Sequence, residues 1–185
     1  KLKNSILPIA LGLVCIALLT ACSPDKPENE KTNKLHEDPT MCVFTLTEGS
    51  LRSGVSFNSM PQETDFVPTN NVQKIIWQVE KGENFKIGEE GLSKFVVKSI
   101  KTNPNVVYSL RIDYYNAKGN SMNNQFFENE QDKIHQHFFM YYTNNGAHNV
   151  LVKNREELPY EYTYADSYKG KFIGESNPMG FFGFI

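Results

Sequence analysis

The chain has 185 residues, with 19 Lys and Arg against 21 Asp and Glu and a formal net charge of −2. Charge this evenly balanced, without a basic stripe, argues against nucleic acid as a partner on electrostatic grounds. The length suits one domain around one core, and only Cys42 lies beyond the first 22 residues, so that domain has no pair of cysteines to bridge.

Lys1 and Lys3 precede a nearly uninterrupted apolar run from Ile6 to Ala21, the charged start and apolar middle of a secretory signal. The run is short for a membrane span and stops at Ser23, Pro24, Asp25 and Lys26. Leu19-Thr20-Ala21-Cys22 resembles the lipobox of bacterial lipoproteins, in which small residues precede the cysteine that becomes the acylated N-terminus. Residues 1–21 are accordingly expected to be a lipoprotein signal peptide, with Cys22 the lipidation site and the membrane contacted through that anchor. Residues 22–39, rich in Pro, Asn, Lys and Glu, are expected to be a flexible acylated tether. Asp25, Glu28 and Glu30 within it resemble the acidic export signal that carries Bacteroidetes lipoproteins to the cell surface.

From residue 40 to 185 the pattern is period-2 alternation broken by Gly, Asn and Pro, which predicts a single all-β domain. Its expected form is an antiparallel β-sandwich of about eight strands, Ig-like or jelly-roll-like. In chain order, strands are predicted over 41–47, 72–80, 94–101 and 105–115, with one helical turn around 89–93. In the clearest of them Val106, Tyr108, Leu110, Ile112 and Tyr114 share one face, and Ser109, Arg111 and Asp113 the other. The turn Asn116-Ala117-Lys118-Gly119-Asn120 leads into a hairpin partner over 121–127. Further strands are predicted over 133–143, 149–153, 160–164 and 180–185. Cys42, inside Met41-Cys42-Val43-Phe44, reads as a small buried hydrophobe. A membrane-spanning barrel is disfavoured by the lipobox and by strands too short to cross a bilayer.

The most informative segment is Lys133-Ile134-His135-Gln136-His137-Phe138-Phe139. In a strand His135 and His137 project from one face roughly 6.6 Å apart, a spacing at which two imidazoles can hold one metal ion. His148 follows across the turn Thr143-Asn144-Asn145-Gly146-Ala147 and becomes a third ligand if a hairpin returns it, with Tyr141 as a neighbour able to ligate or hydrogen-bond. A divalent ion or haem is the group such a set would take. The same histidines equally suit hydrogen bonds within the fold. Tyr160, Tyr162 and Tyr164 share another face, which suits a partner surface or a flat ligand such as haem or a glycan, and equally suits core cover. No phosphate loop, nucleophile elbow or His-Glu-x-x-His pair is present, so no enzyme is expected.

Phe44-Thr45-Leu46-Thr47-Glu48-Gly49, Gln131-Asp132-Lys133-Ile134-His135-Gln136-His137-Phe138-Phe139 and Asn177-Pro178-Met179-Gly180-Phe181 together resemble a family of small Bacteroidetes outer-membrane lipoproteins. The resemblance implies company with TonB-dependent receptors. Several of those relatives are histidine-rich just after the first strand, where this chain has Ser50-Leu51-Arg52-Ser53-Gly54-Val55-Ser56-Phe57-Asn58 and no histidine. Two expectations follow. One is a cell-surface, outer-membrane lipoprotein that captures a metal ion or metal complex for a transporter. The other is a structural or accessory subunit of an outer-membrane protein complex with no small-molecule ligand; a glycan-binding module ranks third.

Overall fold

In a computed structural model the described residues are 37–80, 84–87, 91–128, 130–144, 149–152 and 155–185. The expected signal peptide, Cys22, most of the tether and His148 lie outside them. The described residues belong to one compact unit. No helix among them is long and apolar enough to cross a membrane.

The strands are β1 (Met41–Leu51), β2 (Phe66–Glu80), β3 (Asn84–Ile87), β4 (Val107–Tyr115), β5 (Tyr141–Asn144), β6 (Asn149–Val152), β7 (Thr163–Tyr164), β8 (Ser167–Tyr168), β9 (Lys171–Phe172) and β10 (Phe182–Phe184). Six form one sheet in the order β3-β2-β1-β4-β10-β7, while β5-β6 and β8-β9 form separate two-stranded hairpins. Every pairing is antiparallel. The protein is therefore all-β and antiparallel, as the alternation predicts, and consistent with a sandwich.

The alternation explains which side is buried. Cys42, Phe44, Leu46 and Glu48 of β1 lie opposite Tyr114, Ile112, Leu110 and Tyr108 of β4, one face of two adjacent strands. Cys42, Leu46, Tyr108, Leu110 and Ile112 on that face join Met122, Phe126, Met179 and Phe181 in the main core. Each large aliphatic side chain buried there contributes roughly 1.5–3 kcal/mol. On β10, Gly183 faces Leu110, so Phe182 and Phe184 point to the opposite side beside Arg111 and Ser109. There, with Ala165, they build a second cluster against Phe57, Phe66, Val107 and Phe172, and the Arg111 guanidinium lies 4.7 Å above the Phe182 ring.

The structure corrects the sequence reading where side chains replace strand partners. The expected strand over 94–101 is irregular chain, because the Gln73 amide binds both backbone groups of Val96, accepting from its N–H and donating to its carbonyl at 2.8 Å each. The hairpin partner expected over 121–127 is reduced to one bridge, Tyr115 to Ser121, followed by a 3-10 turn over Asn123–Phe127. Asn123 takes the ladder positions instead: its Oδ1 accepts from the Tyr114 N–H and its Nδ2 donates to the Ile112 carbonyl, both at 2.8 Å. That turn sends Met122 and Phe126, four residues apart, into the same core.

Three more predictions are shortened. Residues 133–143 yield a 3-10 turn at Gln131–Lys133, an extended stretch, and then β5; residues 160–164 keep only β7, and 180–185 only β10. The helical turn expected around 89–93 is not formed at residues 91–93, and Glu89 and Glu90 lie outside the described residues. The strands β1, β2, β4 and β6 match their expected positions, with β1 and β2 running longer.

Asn123→Ala leaves two backbone groups of β4 without partners and is expected to cost about 1–3 kcal/mol in urea unfolding. The exposed neighbour changed in Asn124→Ala should stay within about 0.5 kcal/mol of the parent. Equal effects at the two positions would contradict the clamp.

Candidate functional site

The site begins with a buried carboxylate. Asp166, 1% exposed, accepts hydrogen bonds from the Gly180 N–H at 2.7 Å and the Phe182 N–H at 2.9 Å. Burial pushes its carboxyl above the ordinary aspartate range, and backbone amides of residues 179–182 pull it back. Those bonds fix the turn that enters β10. Gly180 has a φ of +80°, and a Cβ there would come within 2.9 Å of the His137 Cβ and 3.0 Å of the Tyr164 ring, so only glycine fits.

The fixed turn in turn holds His137. The Met179 carbonyl accepts from the His137 backbone N–H and stands 2.8 Å from its Nδ1. A carbonyl only accepts, so Nδ1 carries the imidazole proton, and Nε2 accepts from the Tyr114 hydroxyl at 2.9 Å. The ring is stacked on Tyr114, with 5.7 Å between centroids, and lies 5.3 Å from that of Phe181. The Tyr164 hydroxyl donates to the His137 carbonyl at 2.7 Å. Burial lowers the pKa of His137 below its ordinary 6.5, with the Met179 carbonyl acting in the opposite direction.

His135 projects to the same side, as its spacing predicts. Its Nδ1 lies 3.1 Å from the Gln131 carbonyl, and its ring meets Phe126 edge to face at 5.6 Å. The alternation of residues 134–140 is thus real without a strand ladder: His135, His137 and Phe139 are half-buried, while Ile134, Gln136, Phe138 and Met140 are exposed. The outward side is strongly apolar, with Ile134 71%, Phe138 67% and Met140 56% accessible.

Among the other expected site residues, Tyr141 is exposed at the start of β5, opposite Val152. Tyr164 is buried, and Tyr160 and Tyr162 are half-buried. Their rings meet in sequence, Tyr160 tilted against Tyr162 and Tyr162 edge-on to Tyr164, and both Tyr162 and Tyr164 pack on Phe139. The tyrosine face therefore supports the inner side of the 134–140 segment. Among the described residues no group of three or more His, Cys, Asp or Glu is placed to hold a metal ion. Cys42 is buried beside the Tyr114 hydroxyl, and burial pushes its thiol up to about 12, so it stays protonated.

Sequence reasoning missed Asp166, since Tyr164-Ala165-Asp166-Ser167 carries no motif, and it found Gly180 only as part of a short resemblance. No family model matches the chain, and neither a curated protein nor a solved structure matches it.

His137 supplies a pH test. Between its lowered folded pKa and 6.5 the unfolded chain binds more protons, so stability rises with pH through that window and falls as pH drops below 6.5. Urea unfolding from about pH 5 to 7.5 should show this slope, and His137→Gln should flatten it while lowering stability by about 1–3 kcal/mol. Parallel slopes for the two proteins would contradict a buried, neutral imidazole.

Proposed function

We propose that this chain is a non-enzymatic, lipid-anchored accessory protein of the outer membrane that docks a protein partner through the outward side of residues 134–140. The observation that carries this reading is the row Ile134, Phe138 and Met140, standing exposed on a backbone whose inner side is held by His137, Phe139 and Tyr164. Large apolar side chains on a fixed backbone are what an interface centre uses, because little order must be lost on binding.

The membrane part of the reading is supported by the lipobox ending at Cys22, and the surface location by Asp25, Glu28 and Glu30 behind it. The resemblance to small Bacteroidetes lipoproteins makes a TonB-dependent receptor the kind of partner to look for. Metal or haem capture by His135, His137 and His148 is the competing function. It requires His137 to free Nε2 from the Tyr114 hydroxyl, while the Nδ1–H stays on the Met179 carbonyl.

One experiment separates the two. A photo-crosslinking residue in place of Phe138 in the full chain, in the native outer membrane, should give one discrete adduct with an outer-membrane protein. Ile134→Asp with Met140→Asp should reduce that adduct about tenfold or more, and the same probe in place of Lys118, on the exposed turn, should give none. Absence of an adduct at 138, together with a melting shift on adding zinc, copper, iron or haem that His135→Ala with His137→Ala removes, would overturn docking in favour of capture.

A further inference from the structure

A second exposed apolar region lies far along the chain from the docking strip, in the irregular segment between β3 and β4. Leu92 is 46% exposed, Val96 67%, Val97 57% and Ile100 66%. Interleaved with them are Lys94, Lys98 and Lys101, and residues 91–105 contain no Asp or Glu, in a chain whose net charge is −2.

This segment is pinned from beneath. Phe95 packs against the main core, and the Gln73 amide grips the Val96 backbone. The Tyr108 hydroxyl accepts from the Lys98 N–H at 3.0 Å. Glu48, itself buried, pairs with the Lys98 ammonium at 2.5 Å and accepts from Asn71 at 2.9 Å, and these partners hold its carboxyl below the usual range. Lys98 is thereby spent on the fold, whereas Lys94 and Lys101 flank the aliphatic side chains as exposed cations. The result is a fixed, exposed apolar segment with positive charge beside it.

From this juxtaposition we infer that residues 92–101 form a membrane-contacting loop that inserts Leu92, Val96, Val97 and Ile100 at the headgroup boundary of an anionic bilayer. Aliphatic side chains enter the interfacial region, while lysines at its edge are attracted to anionic headgroups. The loop adjoins the Glu48 end of β1, and the chain from Cys22 enters at the Met41 end. The residues between Cys22 and Thr40, at ~3.3–3.6 Å each when extended, exceed the length of β1 and allow both contacts at once. Only this reach depends on the anchor reading; the affinity of the loop is its own.

The test is amide hydrogen exchange of the full chain on vesicles of phosphatidylcholine alone and of phosphatidylcholine mixed with phosphatidylglycerol. Because residues 1–22 can attach the chain to either vesicle, the readout is local. Exchange over 96–101 should slow about tenfold or more on the mixed vesicles only, and added salt should weaken the effect. Val97→Asp with Ile100→Asp, and separately Lys94→Glu with Lys101→Glu, should abolish it, with exchange in β1 and β4 showing that the variants are folded. Equal exchange on both vesicle types, or slowing that survives both pairs of substitutions, would overturn the inference. Either outcome leaves the crosslinking result at Phe138 unaffected.

Discussion

The hydrogen bonds from the Gly180 and Phe182 amides to Asp166 are the interaction on which the rest of the site depends. A buried carboxylate is costly unless its lone pairs are filled, and here backbone amides fill them. The consequence is geometric. Fixing residues 179–182 presents the Met179 carbonyl to His137, places Phe181 in the main core and starts β10 in register with β4. His137 then holds the middle of an extended segment that has no strand neighbour, and Ile134, Phe138 and Met140 are presented as a consequence.

The same device recurs around the sheet. Gln73 at Val96, Asn123 at Tyr114 and Ile112, and Asp166 at Gly180 and Phe182 each satisfy backbone groups that a neighbouring strand would otherwise satisfy. Buried backbone donors and acceptors must be paired, and a side chain carrying amide or carboxylate oxygens can do this without a second strand. Both exposed apolar regions sit on irregular chain held in this way or through a buried ring. Rigid presentation without a ladder is what permits large aliphatic side chains to stand in solvent without collapsing onto the core.

Much of the central sheet was legible in the sequence. The alternation of Tyr108, Leu110, Ile112 and Tyr114 needed only the period of a strand, and these residues share one face as read, with Cys42 buried as expected. The pairing of His135 and His137 on one side was legible for the same reason. What was not legible is where the ladder gives way, because 94–101 has the composition of a strand and 121–127 follows a turn that reads as a hairpin. Their conformation is decided by Gln73, 23 positions from the backbone groups it binds, and by Asn123, 9 and 11 positions from those it binds. Asp166 was hidden likewise, since its partners lie 14 and 16 residues on. The roles of the tyrosines could not be apportioned from alternation alone, which is common to a docking face and to the support of one.

The central claim is that Asp166, through the 179–182 turn and His137, holds the docking strip in place. The most direct measurement is residue-resolved amide hydrogen exchange on Asp166→Asn, which replaces one acceptor oxygen by a donor facing backbone N–H groups. The account predicts that protection at residues 179–182 and at His137 falls together, while β1 and β2 keep theirs. Loss of protection confined to residues 179–182, with His137 unchanged, would contradict it.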